Sequence, residues 1–330
     1  MEKLENHPVF ICGHPKAGTS LVKTLLDGHP ALVVYPEETL FFRRFLPAAE
    51  GKSFAEQVEL AEKLLIHIFE WNQENPPVHQ ENFPDRDYSD IPFESVKKEL
   101  ADLLGEGNPK VRDFLPAAVC AFGRVSGVLN EGSQAWVEKS PYNEFYADRI
   151  FQWWPEARCI HIVRDPRDNY VSYKRKQPGW TVRVFARNWL CSTQAGLANR
   201  ERYGNDRYRL IRFEDLLTKP EEVTHEITRF LDISWDEALL QPTRAGDAWR
   251  GNSMFDETFQ DISTDPIDRW KGLLGPYPLA VVQIVCGKTM VQLRYDIVKP
   301  DLSALTLKQR VVLLRERFKA KIKTSRSINN

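Results

Sequence analysis

Gly13-His14-Pro15-Lys16-Ala17-Gly18-Thr19-Ser20 sets a lysine between two glycines and follows them with two hydroxyls. Placed between a strand and a helix, such a loop points successive backbone N–H groups and the positive end of the helix dipole at an anion. Gly18 lets the backbone approach closely, Thr19 and Ser20 add hydroxyl donors, and Lys16 supplies a point charge. The glycine spacing is that of the nucleoside-triphosphate loop GxxxxGK(S/T). Here, however, Thr19 stands where that motif carries its lysine, and the lysine has moved to Lys16. A kinase or GTPase needs its lysine there for the outer phosphates and a hydroxyl for Mg²⁺. The displaced lysine suits a smaller terminal group held without a metal. Glu37 and Glu38 follow the next apolar run, which puts a carboxylate at the same sheet edge, where it could take a proton from an attacking hydroxyl.

The elements that must position these residues are legible from hydrophobic patterning. Residues 9–12 read as a buried strand, a helical pattern runs from Thr19 through Leu21, Val22, Leu25 and Leu26, and residues 32–35 read as a second strand. Residues 54–72 predict an amphipathic helix, and residues 73–92, rich in Pro, Asp and Asn, an irregular insertion. Further helices are expected near 93–104, 113–130, 181–202, 220–231 and 276–293, with strands at 135–139, 158–163 and 208–211. Pro166 is placed to open a helix. The pattern is α/β: a central parallel sheet flanked by helices in a P-loop-like three-layer fold with helical insertions. We read residues 1–300 as one domain, with an insertion at about 44–130 forming much of an acceptor cleft. Phe69, Trp71, Phe83 and Tyr88 are candidates to line that cleft.

Composition narrows the partners. Formal net charge is −1, so no bulk attraction to nucleic acid exists and any bound anion must be held by a local cluster. Cys12, Cys120, Cys159, Cys191 and Cys286 are odd in number and form no CxxC pair, which predicts buried free thiols. No signal-peptide pattern opens the sequence and no run approaches the length that spans a bilayer, so a cytoplasmic address is expected. The tail, residues 301–330, is basic: within residues 304–326, Lys308, Arg310, Arg315, Arg317, Lys319, Lys321, Lys323 and Arg326 face only Glu316. Val311, Leu314, Phe318 and Ile322 form one apolar stripe if the segment is helical. That stripe is expected to dock on the domain, with at most weak contact between residues 304–326 and a membrane surface.

PKAGTSL, residues 15–21, resembles the 5′-phosphosulfate loop of sulfotransferases that use 3′-phosphoadenosine 5′-phosphosulfate (PAPS). The resemblance implies that Lys16, Ala17, Gly18, Thr19, Ser20 and Leu21 hold that end of the donor. IHIVRDPRDNYVSYKR, residues 160–175, resembles the family's 3′-phosphate segment, which makes Arg164 and Ser172 the ligands of the ribose 3′-phosphate. The chemistry agrees. Arg164 would lie at the carboxyl end of a parallel strand, where open α/β sheets bind ligands, and its planar fork suits phosphate. A structural alternative pairs Arg164 with Asp165 or Asp168. Glu138-Lys139-Ser140-Pro141 resembles the segment of glycan and tyrosine sulfotransferases whose lysine contacts the sulfonate region. Asn252-Ser253 followed by Arg269, Trp270 and Lys271 resembles the segment that closes over the nucleotide. Tyr35-Pro36-Glu37-Glu38-Thr39 resembles the segment of tyrosylprotein and bacterial sulfotransferases whose glutamate before Thr is the proposed base, which maps to Glu38, with Glu37 as the substitute.

The resemblance therefore implies a PAPS-dependent enzyme that needs no metal and uses Glu38, Lys16 and Lys139 as catalytic groups. A carbohydrate, or a small molecule bearing one, is the leading acceptor. Two other readings stay open in the sequence: a P-loop nucleotide or small-molecule kinase, and a non-catalytic nucleotide-binding relative.

Overall fold

The computed structural model describes Leu4, residues 6–70, 86–105, 109–249, Gly251, Phe255 and residues 262–326, with side chains as far as Phe318. Trp71, Phe83, Asn252 and Ser253 lie outside the described residues. Five strands, β1 (Pro8–Cys12), β2 (Leu32–Val34), β3 (Ala135–Lys139), β4 (Arg158–Val163) and β5 (Tyr208–Arg212), form a parallel sheet ordered β2-β3-β1-β4-β5. Register places Ile11 of β1 opposite Lys139 of β3, and Cys12 opposite His161 of β4. The loop leaving β1 thus emerges between the ends of β3 and β4.

Alternation along the strands splits the core into two layers. Val9, Ile11, Leu32, Val34, Val137, Ile160 and Ile162 face one side, while Phe10, Cys12, Val33, Trp136 and Cys159 face the other. Helix α1 (Thr19–Asp27) packs on the first side through Val22, Leu25 and Leu26. Burying each such side chain is worth about 1.5–3 kcal/mol, enough to hold the start of α1 over the end of β1. The second side is covered by α2 (Phe93–Leu104), α3 (Phe114–Val125) and the segment 41–69. The longer helices of the second half are α4 (Pro166–Lys176), α5 (Val182–Tyr203), α6 (Pro220–Leu231), α7 (Pro276–Gln292) and α8 (Leu307–Arg326). Among the described residues no helix is long and apolar enough to cross a membrane.

Three expectations are corrected. The helix expected over 54–72 is regular only from Phe54 to Ala61; a wide π turn, Glu62–Ile66, and a tight 3₁₀ turn, His67–Glu70, follow. Phe69 and Tyr88 do not line a cleft: both are buried, Phe69 stacked on Phe122 at 5.5 Å and edge-on to Tyr88. Four cysteines are buried free thiols, but Cys191 is exposed on α5.

The tail docks by a different face from the one its pattern suggests. Leu313 is buried, and the buried carboxylate of Glu316 accepts hydrogen bonds from Arg183 and Arg187 of α5, each at 3.0 Å or less. Val311, Leu314 and Phe318 remain 40, 63 and 68 % exposed. Only one side of a helix can dock. Burial of Glu316 is sustained by two guanidinium groups that hold its carboxyl below the usual range against the effect of desolvation. The stripe, on the opposite side, is left outside.

Candidate functional site

Every element of the loop after β1 is constrained by its surroundings. Gly13 has φ 134°, and a Cβ there would stand 2.5 Å from the carbonyl oxygen of Ile162. At Gly18, φ 105°, a Cβ would come 2.2 Å from the Phe213 ring. Both positions require glycine. Lys16 adopts φ 64° without being glycine, a strain of about 1–3 kcal/mol of the kind that gathers at functional sites. Its carbonyl is held by Arg164 Nη1 at 3.2 Å. His14 is buried among Tyr142, Tyr173 and Phe185, and burial lowers its pKa to about 4, so it shapes the loop as a neutral ring.

Sequence reading missed Glu144. This buried carboxylate accepts the Gly13 N–H at 3.0 Å and the Ser192 hydroxyl, and burial raises its pKa to about 7. No motif marks it, because its partners lie in distant segments.

The first bond of α1 runs from the Val22 N–H to the Gly18 carbonyl, at 3.2 Å. The amides of Thr19, Ser20 and Leu21 therefore precede the helical ladder, as an anion site requires. Lys16, Gly18, Thr19, Ser20 and Leu21 line a cavity of about 120 Å³ that is partly open to solvent. Ala17 is placed differently: it is buried in the turn, its N–H donating to the His14 carbonyl at 3.1 Å. Burial lowers the Lys16 pKa to about 8, assisted by the charges of Lys176, Lys139 and Arg164 and opposed by Glu38.

Arg164 and Ser172 line the same cavity. Arg164 Nη1 donates to Ser172 Oγ at 3.3 Å, Nη2 donates to the Pro266 carbonyl at 2.8 Å, and the guanidinium lies 4.8 Å from the Phe213 ring centroid. The local ion pairs that the sequence allowed for Arg164 do not form. Asp165 is taken by Arg167, with Oδ2 2.6 Å from Nη2. Asp168 accepts the backbone N–H groups of Asp268 and Trp270 at 2.9 and 2.8 Å. Burial pushes the Arg164 pKa down, with Asp168 and Glu214 attracting the charge from a distance.

Asp168 thereby ties the late segment to α4 and sorts its three candidates. Arg269 lines the cavity, its guanidinium 4.6 Å from the Phe255 ring centroid. Trp270 is a buried anchor that packs 4.0 Å from the Arg167 guanidinium. Lys271 does not line the cavity; it is 61 % exposed and pairs with Asp268 at 2.7 Å. Trp270 and Lys271 follow Arg269 on one helical turn and so point elsewhere.

On the β3 side of the loop, Lys139 Nζ meets Glu38 Oε1 at 2.5 Å. Lys139 is buried at the strand end, while the Glu38 side chain stays 36 % exposed. Desolvation would raise the Glu38 pKa, but Lys139, Lys176 and Lys23 outweigh it and hold the carboxyl below the usual range. Glu37 is committed elsewhere: its buried carboxylate accepts the Tyr88 hydroxyl at 3.0 Å and pairs with Arg86 at 3.2 Å. Glu138 fixes the strip carrying Glu38, accepting Thr39 at 2.8 Å and Asn143 at 2.7 Å. The Ser140 hydroxyl accepts the Leu40 N–H at 2.9 Å.

The cavity also takes the apolar residues Phe213, Leu217, Pro242, Trp249, Ile262 and Pro266. Two buried donors in its lining, Arg164 Nε and Trp249 Nε1, have no hydrogen-bond partner among the described residues. A ligand that supplies acceptors together with a flat apolar face fits this lining.

A family model described as the sulfotransferase family matches residues 8–237. The chain belongs to that family. This family member is 24 % identical to protein-tyrosine sulfotransferase A of Caenorhabditis elegans over 278 residues, which cover 81 % of the chain and 61 % of the relative. It is 27 % identical to carbohydrate sulfotransferase 3 of Mus musculus over 197 residues, 49 % of the chain and 38 % of the relative. The chain thus spans less than two thirds of the length of these curated relatives. In fold, this sulfotransferase-family chain matches the sulfotransferase domain of the Synechococcus PCC 7002 olefin synthase with a TM-score of 0.55 and 22 % identity, covering 90 % of this chain and 97 % of that one. The corresponding domain from the curacin biosynthetic pathway gives 0.54 at 22 % identity, over 88 and 98 %.

Proposed function

We propose that the chain moves the sulfuryl group of PAPS to an acceptor hydroxyl, with Glu38 as base and no requirement for a divalent metal. The observation that carries the reading is the convergence at one sheet edge of two anion-holding groups. They are the Lys16–Leu21 loop and the Arg164–Ser172 pair, which line one cavity together and in which two buried donors, Arg164 Nε and Trp249 Nε1, have no hydrogen-bond partner among the described residues. The two groups match a donor that carries a 5′-phosphosulfate and a 3′-phosphate on one ribose, and the apolar lining of the cavity suits its adenine.

PAPS supplies an activated sulfur bonded to a good leaving group. Lys16 would stabilise the oxygen bridging to the departing 5′-phosphate, and Lys139 would leave Glu38 to neutralise the sulfonate oxygens. Glu38 accepts the hydroxyl proton as the acceptor oxygen bonds to sulfur and the sulfur–oxygen bond to the 5′-phosphate breaks. Adenosine 3′,5′-bisphosphate departs. The acceptor hydroxyl belongs to a carbohydrate or to a protein tyrosine, the two classes named among the relatives. Transfer of label from sulfur-labelled PAPS to a panel of sugars and tyrosine peptides tests this. Label passing instead from ATP in the presence of Mg²⁺ would establish the kinase, and PAPS binding without any transfer would favour the non-catalytic relative.

Two binding results are expected. PAPS and adenosine 3′,5′-bisphosphate should bind with chelator present, because the lysine, arginine, hydroxyl and amide groups that line the cavity would hold both anions. Calorimetry would show otherwise if the heat vanished with the metal. Binding should also weaken at alkaline pH. An anion beside Lys16 favours its charged form, so affinity is flat below the free pKa of about 8. It should fall roughly tenfold per pH unit above that value, with proton uptake on binding. Lys16→Arg should remove the dependence, and an affinity unchanged between pH 7 and 9 would show that Lys16 does not face the anion.

A further inference from the structure

The exposed side of α8 has a chemistry that the proposed reaction does not use. Leu307, Val311, Leu314 and Phe318 follow one another at intervals of four, three and four residues and are 80, 40, 63 and 68 % exposed. They form one uninterrupted stripe down the helix, and Leu302, 37 % exposed, shares a surface groove with Leu314. At helical spacing, Lys308 and Arg315 fall along one edge of the stripe and Arg310 and Arg317 along the other, all exposed. The sequence continues both rows, with Lys319 and Arg326 on the first edge and Lys321 on the second.

The acidic residue of this helix does not interrupt the pattern. Glu316 is turned inward, where Arg183 and Arg187 hold it at 2.7 and 2.8 Å. The docking ion pair therefore removes the negative charge from the outer surface and fixes which side of the helix faces outward.

We infer that this side of α8 lies on an anionic lipid surface. A helix parallel to a bilayer sinks an apolar stripe into the acyl boundary while flanking lysines and arginines reach the headgroups, which is the arrangement found here. Charge decides between occupants. A second copy would set two rows of cations against two rows of cations, whereas an anionic bilayer complements both rows at once. The inference does not rest on the proposed reaction, since no stripe residue lines the cavity at the sheet edge.

Flotation of the full chain with vesicles at physiological salt tests the inference. Vesicles of phosphatidylcholine with phosphatidylserine should carry the protein upward, and vesicles of phosphatidylcholine alone should not. Leu314→Ser with Phe318→Ser, both exposed and so compatible with folding, should reduce partitioning at least about tenfold. Lys308→Gln with Arg315→Gln should reduce it several-fold and flatten its salt dependence. An unchanged thermal midpoint in each variant would confirm an intact fold. Equal flotation with neutral and anionic lipid, or flotation indifferent to both pairs of substitutions, would overturn the inference. So would self-association, seen by sedimentation velocity without lipid and abolished by the serine pair, in a chain that ignores vesicles.

Discussion

Glu38→Gln is expected to lower turnover by about 10²–10⁴-fold, the usual range for a lost general base, while leaving PAPS affinity unchanged or slightly tighter. The substitution keeps size and hydrogen bonding but cannot accept a proton. Affinity should not fall, because removing the carboxylate frees the Lys139 ammonium that now pairs with it at 2.5 Å. The wild-type rate profile should carry the same signature. Although burial opposes ionisation of Glu38, the surrounding lysines prevail, so its base form persists to pH values below the ordinary carboxylate range. The acid limb of kcat/KM should lie there, and it should disappear in the variant. Turnover near wild type in Glu38→Gln would remove Glu38 from the mechanism. Glu37 is a poor replacement, since it already holds Tyr88 and Arg86.

Arg164→Ala is expected to weaken PAPS binding by about 2–4 kcal/mol, a loss of roughly 30- to 1,000-fold, the scale of truncating a charged partner of a desolvated anion. Adenosine 5′-phosphosulfate, which lacks the 3′-phosphate, should bind almost as before. The comparison matters because Arg164 also ties the Lys16 carbonyl and Pro266 together. Loss of that tie would loosen the loop and cost both nucleotides equally. Arg164→Lys separates the roles further: it keeps the charge and loses the fork, so PAPS affinity should fall between wild type and alanine. Equal losses for the two nucleotides would make Arg164 a support for the loop, with the 3′-phosphate held elsewhere.

Much of the fold was written in local pattern. Strands at 9–12, 135–139 and 158–163, and helices at 93–104 and 220–231, follow the patterning closely because each buries a continuous face and is bounded by glycine, proline or a cap. Helix α1 is legible for the same reason, and the glycines at 13 and 18 announced a loop that no other residue could form. Regularity failed at Glu62–Glu70, where aromatic packing against Phe122 and Tyr35 overrides the simple period.

The candidate site divides along the same line. Residue types and motif spacing were enough to single out Lys16, Gly18, Arg164, Ser172, Lys139 and the Glu37–Glu38 pair. Resemblance favoured Glu38 over Glu37; that Tyr88 and Arg86 occupy Glu37 was beyond the sequence, because they reach it from far along the chain. The same holds for Glu144 beneath Gly13, and for Asp168, which turns Arg269 into the cavity and leaves Lys271 in water. The outward side of α8 was decided likewise. An amphipathic pattern states that a stripe exists, whereas which side docks follows from the pairing of Glu316 with Arg183 and Arg187 on another helix. Sequence determined what had a local cause: backbone conformation, periodicity and the side chains within one loop. Tertiary structure decided which buried charge meets which partner, because a desolvated charge is costly unless paired and its partner is brought to it only by the fold.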